Sequence, residues 1–280
     1  MSLTHATRPR HTELVVTSMC GIAGYSLAPS SRVDRTLAAQ VLLAAIAERG
    51  ADAVGYAYRG RHVPLGSHKQ RSGASALLED VRVPSGVSEL VLHVRDYTKG
   101  HPRIEANNHP VRQGAVVGVH NGVILNDDEI FTAHGLERGE PEMTVDSAAI
   151  FALAEKDPGR TEPLEELRGS MAAAWLDERE PDLLYVVRGV GRPLWLGHGS
   201  DEIVFASTRF ALEMVERYVG LELEMSEVDE GTLITLAAGR AVARRRFSPN
   251  RAFEEEPLPA VRAPHERASC LRLIAAIATT

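Results

Sequence analysis

The chain has 280 residues, of which 44% are apolar and 25% charged, an ordinary balance for a globular protein with a sizeable core. Its 31 basic and 38 acidic residues leave a net charge of −7, which argues against nonspecific nucleic-acid binding, and no apolar run approaches the ~20 residues of a membrane-spanning helix. The two cysteines, Cys20 and Cys270, exclude a disulfide scaffold and a zinc cluster and suit a reducing, cytoplasmic setting.

Residues 1–19 are polar and slightly basic, without the apolar stretch of a secretory signal. The spacing then predicts a strand over 21–25, rich in small residues that allow close backbone approach. Asp34 is placed to cap a helix carrying Leu37, Val41, Ala44 and Ala45 at helical period, which Gly50 ends. A strand is expected over 54–58, a Gly/Ser/Lys loop over 66–76, and β-branched strands over 90–95 and 115–120. Helices are expected over 127–133 and 146–154. Four short strands follow at 172–176, 183–188, 194–197 and 203–206, then a helix over 209–218. Runs 232–236 and 241–247 form a hairpin through Ala238-Gly239. Consecutive strands joined by short turns imply antiparallel sheets. Beyond residue 248 the chain reads as a Pro/Arg/Glu-rich tail ending in an apolar, helix-compatible segment, 271–278, in which Cys270 matches no motif.

A lone cysteine is ordinarily a small buried hydrophobe. Cys20, however, stands in Met19-Cys20-Gly21-Ile22-Ala23-Gly24-Tyr25, which resembles the start of the class II glutamine amidotransferases, members of the N-terminal nucleophile (Ntn) hydrolases. In that family the initiator Met or a propeptide is removed and Cys becomes the first residue. Elementary chemistry agrees with such a role. A thiol titrates near pH ~8.5 and a free α-amine near ~8, so the amine can act as general base for its own side chain. A cysteine in mid-chain lacks that base.

The resemblance continues, in order, through about residue 236. Arg49-Gly50-Ala51-Asp52-Ala53-Val54-Gly55 is similar to the family's Arg-Gly-Pro-Asp-x-x-Gly, with Ala51 for Pro; it reads equally as a helix C-cap, and Arg49 and Asp52 are expected to support the turn near the nucleophile. The segment from His93 to Gly100 resembles His-x-Arg-x-x-Thr-x-Gly. It implies that Arg95 clamps the α-carboxylate of glutamine, which guanidinium geometry suits, and that Thr98 adds a hydrogen bond. Asp96 and Lys99 depart from the family pattern, and a carboxylate beside Arg95 would partly neutralise the clamp. Asn108-His109-Pro110 matches an element in which His109 is structural. His120-Asn121-Gly122-Val123-Ile124-x-Asn126 is the most specific internal motif. Asn-Gly alone is a hairpin signal; in register with Cys20 and Arg95 the resemblance makes the Asn121 amide and the Gly122 N–H an oxyanion hole. Asp146 of Thr144-Val145-Asp146-Ser147 reads either as a helix N-cap or, by resemblance, as the partner of the substrate α-ammonium. Arg192 sits in a segment similar to the family's Arg/Lys-Pro-Leu hairpin.

The resemblance implies an α+β fold, the four-layer αββα sandwich with two antiparallel sheets between helical layers. It divides the chain into 1–19, a propeptide or a mis-assigned start with Met19 as initiator; 20–247, the amidotransferase domain; and a 248–280 tail. It implies glutamine hydrolysis through a γ-glutamyl thioester with no metal or organic cofactor; with no acceptor domain recognised, the chain is expected to be a stand-alone glutaminase or a subunit that delivers ammonia to a separate synthase. Two alternatives stay open. One is a hydrolase of γ-glutamyl amides or peptides. The other is a non-catalytic ligand-binding module, should residues 1–19 remain attached.

Overall fold

A computed structural model describes residues 14–16, 20–256 and 261–278; Met19 and most of the 1–19 segment fall outside these. A seven-stranded sheet is built from β2 (Gly21–Leu27), β3 (Ala53–Gly60), β4 (Val63–Gln70), β5 (Glu89–Arg95), β10 (Trp195–His198), β11 (Glu202–Ala206) and β12 (Glu224–Glu227), in the order β12-β10-β11-β2-β5-β3-β4. A six-stranded sheet holds β6 (Val111–Gln113), β7 (Val116–Ile124), β8 (Gly169–Asp177), β9 (Leu184–Arg188), β13 (Thr232–Ala237) and β14 (Arg240–Arg246), in the order β14-β13-β9-β8-β7-β6. Neighbours in both sheets are antiparallel. A separate parallel pair joins β1 (Leu14–Val16) to β15 (Glu254–Glu256).

Strand alternation creates the layers, because successive side chains face opposite sides. On β2, Ala23, Tyr25 and Leu27 join one helix-covered core, while Ile22 faces the other sheet. On β8, Met171, Ala173 and Trp175 face helices, while Ala172, Ala174 and Leu176 meet Ile22, Val91 and Phe205 between the sheets. Helices α1 (Arg35–Ile46), α4 (Arg209–Val219) and α5 (Pro264–Ile277) cover the seven-stranded sheet; α2 (Asp127–His134) and α3 (Ala148–Lys156) cover the six-stranded one. This is the expected four-layer αββα sandwich. Each large apolar side chain so buried contributes about 1.5–3 kcal/mol.

Local signals act largely as the sequence implies. Asp34 Oδ1 accepts the Leu37 N–H at 2.9 Å to start α1. A 3-10 turn, Ala47–Arg49, carries that helix to Gly50, whose backbone lies so close to the Arg95 carbonyl that a Cβ would collide with it. Two expectations need correction. The loop expected over 66–76 is strand as far as Gln70: β4 is a sheet edge, so its Gly66-Ser67-His68-Lys69 face can be polar. The tail helix begins at Pro264, a favoured first-turn position. Its Cys270 and Ile274 are fully buried with α1 and α4 in one core, and burial pushes the Cys270 thiol up to about 12.

The tail helix is therefore part of the folded body. Ile274→Ala should cost about 2–5 kcal/mol, as for other large-to-small core changes, read by urea denaturation; a loosely tethered tail would give no change.

Candidate active site

Strand parity brings together residues far apart in sequence. Cys20 directly precedes β2 and shares the parity of Ile22, so it sits at the end of the inter-sheet layer; Asn121 on β7 shares the parity of Val117 and Val119 and faces the same layer. A small cleft opens at this end and is lined by Cys20, Arg95, Thr98, Gly122 and Asp146, all expected from the sequence. The Cys20 thiol donates to the Asp96 carbonyl at 3.4 Å, and the Cys20 carbonyl accepts from Arg49 Nε at 2.9 Å. Arg49 is buried, and burial lowers its pKa to about 10, so it stays cationic at neutral pH.

Arg95 is the organising charge. Its Nη1 donates to Asn108 Oδ1 at 2.6 Å, and its Nη2 to the carbonyls of Lys99, at 2.9 Å, and Gly100. Three bonds to neutral acceptors leave the remaining N–H groups of the fork for another partner. Burial lowers the Arg95 pKa; Cys20, Asp146 and Asp52 oppose that electrostatically. Asp146 carries the complementary charge. Its Oδ2 accepts the Ile124 N–H at 2.7 Å, and burial raises its pKa to about 6 against the pull of that bond and of Arg95. The helix-cap reading of Asp146 does not hold, because α3 starts after Ser147 and the Asp146 side chain turns to β7 instead.

The hairpin reading of Asn121-Gly122 fails as well, since both lie inside the nine-residue strand β7. Gly122 has φ 142°, a conformation open essentially to glycine, and a Cβ there would collide with the Ser170 carbonyl. Asn121 stands behind the cleft wall. Its Nδ2 makes one long bond, 3.4 Å, to Ser207 Oγ, and its buried Oδ1 has no partner among the described residues.

The loop 96–100 closes the cleft and is tied at three points. Asp52 accepts the Tyr97 N–H at 3.0 Å. Lys99 pairs with Asp127 at 2.7 Å and Asp128 at 3.0 Å, at the start of α2. The Asp96 carboxylate bonds Arg262 Nε at 3.0 Å. Asp52 is thus a support for the loop, and it does not line the cleft.

Sequence reasoning passed over part of the lining. His120 and Ser147 both line the cleft, joined by a 2.9 Å contact between Nδ1 and Oγ. His109 stacks on His93 with ring centroids 4.0 Å apart. Burial is the main cause that pushes His120 down to about 3 and His93 and His109 well below the ordinary imidazole range, so all three are neutral near pH 7. A buried histidine on the helix-facing side of a strand carries no sequence signal beyond its neighbours in the motif. Among the described residues no group of three or more His, Cys, Asp or Glu could hold a metal ion, and no helix is long and apolar enough to cross a membrane.

Comparison with known proteins agrees with this geometry. Over residues 99–214 the chain matches the model of a glutamine amidotransferase domain family. It is 35% identical to the glutamine–fructose-6-phosphate aminotransferase of Zymomonas mobilis, over 52% of this chain and 24% of that protein. It is 30% identical to the same enzyme of Symbiobacterium thermophilum, over 80% of this chain and 38% of that protein. The fold superimposes on glutamine phosphoribosylpyrophosphate amidotransferase from B. subtilis with a TM-score of 0.65, at 19% identity, covering 82% of this chain and 50% of the other. The chain thus spans well under half the length of these curated relatives. The architecture is the fold of that amidotransferase. The chain carries a glutamine amidotransferase domain, similar to those of the class II enzymes.

Asp146 has a cost that can be measured. A carboxyl whose pKa rises from 3.8 to about 6 on folding binds its proton more tightly in the native state. Its contribution to stability is present below about pH 4 and lost as pH rises through about 6. Asp146→Asn should therefore stabilise the fold relative to wild type by up to about 3 kcal/mol near pH 7.5 and far less near pH 4, as read by urea denaturation at the two pH values.

Proposed function

We propose that this domain hydrolyses the γ-amide of glutamine, with Cys20 as nucleophile once the residues before it have been removed. The observation that carries the proposal is the convergence on one cleft of a thiol, a buried cation and a buried carboxylate: Cys20, Arg95 and Asp146. Arg95 and Asp146 are suited to the two ends of an α-amino acid, carboxylate and ammonium, with Thr98 as a further hydrogen-bond donor at the rim. The side-chain amide would then lie toward Cys20.

In peptide linkage to Met19 the Cys20 nitrogen has no basic lone pair. As a free amine it takes the thiol proton while Sγ attacks the γ-carbonyl carbon. Asn121 Nδ2, held by only one long bond, and the Gly122 N–H would stabilise the tetrahedral oxyanion. The ammonium returns the proton to the leaving nitrogen, ammonia departs, and water hydrolyses the γ-glutamyl thioester to glutamate. Arg49, bonded to the Cys20 carbonyl, and Asp52, bonded to the cleft loop, hold this geometry. The buried histidines, neutral at working pH, take no part as acids. The catalytic unit is residues 20–247 with α5 packed upon it. The relatives are aminotransferases by name, and ammonia from this domain would pass to an acceptor enzyme or domain of synthase type.

A second reading has one observation in its favour. Tyr97 is 42% exposed at the rim and offers an apolar surface to a leaving group larger than ammonia, which suits a γ-glutamyl amide or peptide. Relative kcat/KM for glutamine and for γ-glutamyl amides separates the two.

Intact mass of natively expressed protein should give a chain beginning at Cys20; a retained 1–19 segment together with no turnover would leave a non-catalytic binding module. Ammonia release from glutamine should vanish in Cys20→Ala, and equal release in that variant would overturn the nucleophile assignment. Asn121→Ala should lower kcat by about 10²–10³. KM for glutamine should fall as pH rises through about 6, where Asp146 ionises, and Asp146→Asn should remove that dependence while raising KM.

A further inference from the structure

The C-terminal segment, which none of the family motifs covers, reaches the loop that lines the cleft. After β15 the chain crosses the turn that follows α1. The N–H groups of Arg262 and Ala263 both donate to the Glu48 carbonyl at 2.8 Å, one residue before Arg49, which holds the Cys20 carbonyl. Helix α5 is pinned there by Arg267 to Glu48 Oε2 at 2.6 Å. Glu266 adds bonds from the Ser75 N–H at 2.8 Å and the Ser75 hydroxyl at 3.0 Å. From this fixed base the Arg262 side chain extends to Asp96, whose own carbonyl accepts the Cys20 thiol.

We propose that Arg262 is a positioning residue for the glutamine cleft, acting through Asp96 on the loop 96–100. The inference rests on the glutamine reading of the cleft and adds to it a residue outside the matched family region. The loop supplies Thr98 and, through the Lys99 and Gly100 carbonyls, orients Arg95. Its other ties, Asp52 to the Tyr97 N–H and Lys99 to Asp127 and Asp128, hold its middle and far end. Arg262 holds the end next to the thiol. Because α5 is rooted in the core, that tie has a rigid anchor. It also gives the Asp96 carboxylate a cationic partner other than Arg95. Arg262 touches neither the thiol nor the expected ligand positions, so its loss should weaken ligand binding more than the chemical step.

The test uses the full chain, processed to Cys20. Arg262→Ala should raise KM for glutamine by about threefold to tenfold, the range of a partly exposed charge-assisted contact, with kcat within about twofold. Arg262→Lys should recover part of the loss. Asp96→Asn should act like Arg262→Ala, and the double variant should be no worse than either alone. Amide hydrogen exchange gives a readout independent of turnover: segment 96–100 should exchange about tenfold faster in Arg262→Ala while α1 and α5 keep their protection. An unchanged KM in an active enzyme, or additive effects in the double variant, would overturn the proposal. If Arg262→Ala lowers the protection of α5 as well, the Asp96→Asn arm decides. If wild type releases no ammonia, the glutamine reading fails, and wild-type exchange rates in 96–100 of Arg262→Ala would then refute the latch by themselves.

Discussion

A guanidinium held in the protein interior must find acceptors or it cannot remain charged there. Arg95 meets that demand with Asn108 and the carbonyls of Lys99 and Gly100, and much of the surrounding architecture follows from it. The bonds to Lys99 and Gly100 force the chain after β5 into a tight loop over the cleft. Asn108, in turn, donates to the Pro102 carbonyl at 2.8 Å and so fixes the following segment. With three acceptors in place the cation still lacks a counter-charge, and Asp146 supplies one from the turn before α3, where it is bonded to β7 of the opposite sheet. One buried charge thereby couples the two sheets at the end where Cys20 emerges.

Much of this arrangement is legible in the sequence, and the failures have physical causes. The Cys20 run, Arg95, Gly122 and Asp146 are all visible by resemblance and all reach one cleft. Periodicity finds the layers because both faces of each sheet are buried against different partners. Local reasoning fails where tertiary contact overrides it. Asn121-Gly122 has turn chemistry but runs straight along β7, since the Ser170 backbone lies where a side chain would be. Asp146 has cap chemistry, but the Ile124 amide takes its carboxylate. The edge strand β4 looks like a loop because only one of its sides is paired. The start of α5 is invisible to a search for apolar runs, its first turns being polar where they meet Glu48 and Ser75.

The neighbourhood of the thiol is also where the fold leaves polar groups unsatisfied. Asn121 Oδ1, both ring nitrogens of His109 and His93 Nδ1 are buried without partners among the described residues, and Asp146 is held in an environment that disfavours its charge. Each such group costs stability. Such groups beside the cleft are the pattern expected where local rules yield to function, and the dense cores on either side offset them.

The contact between Glu48 and the segment beginning at Arg262 has a consequence for how the protein comes into being. Cys20 directly precedes the first strand of the seven-stranded sheet, whereas the helix that braces the turn behind it is translated more than two hundred residues later. Both sheets can be complete on the ribosome while that turn is still unsupported. The thiol is thus made early and its setting finished late, so assembly of the site waits for the synthesis of α5.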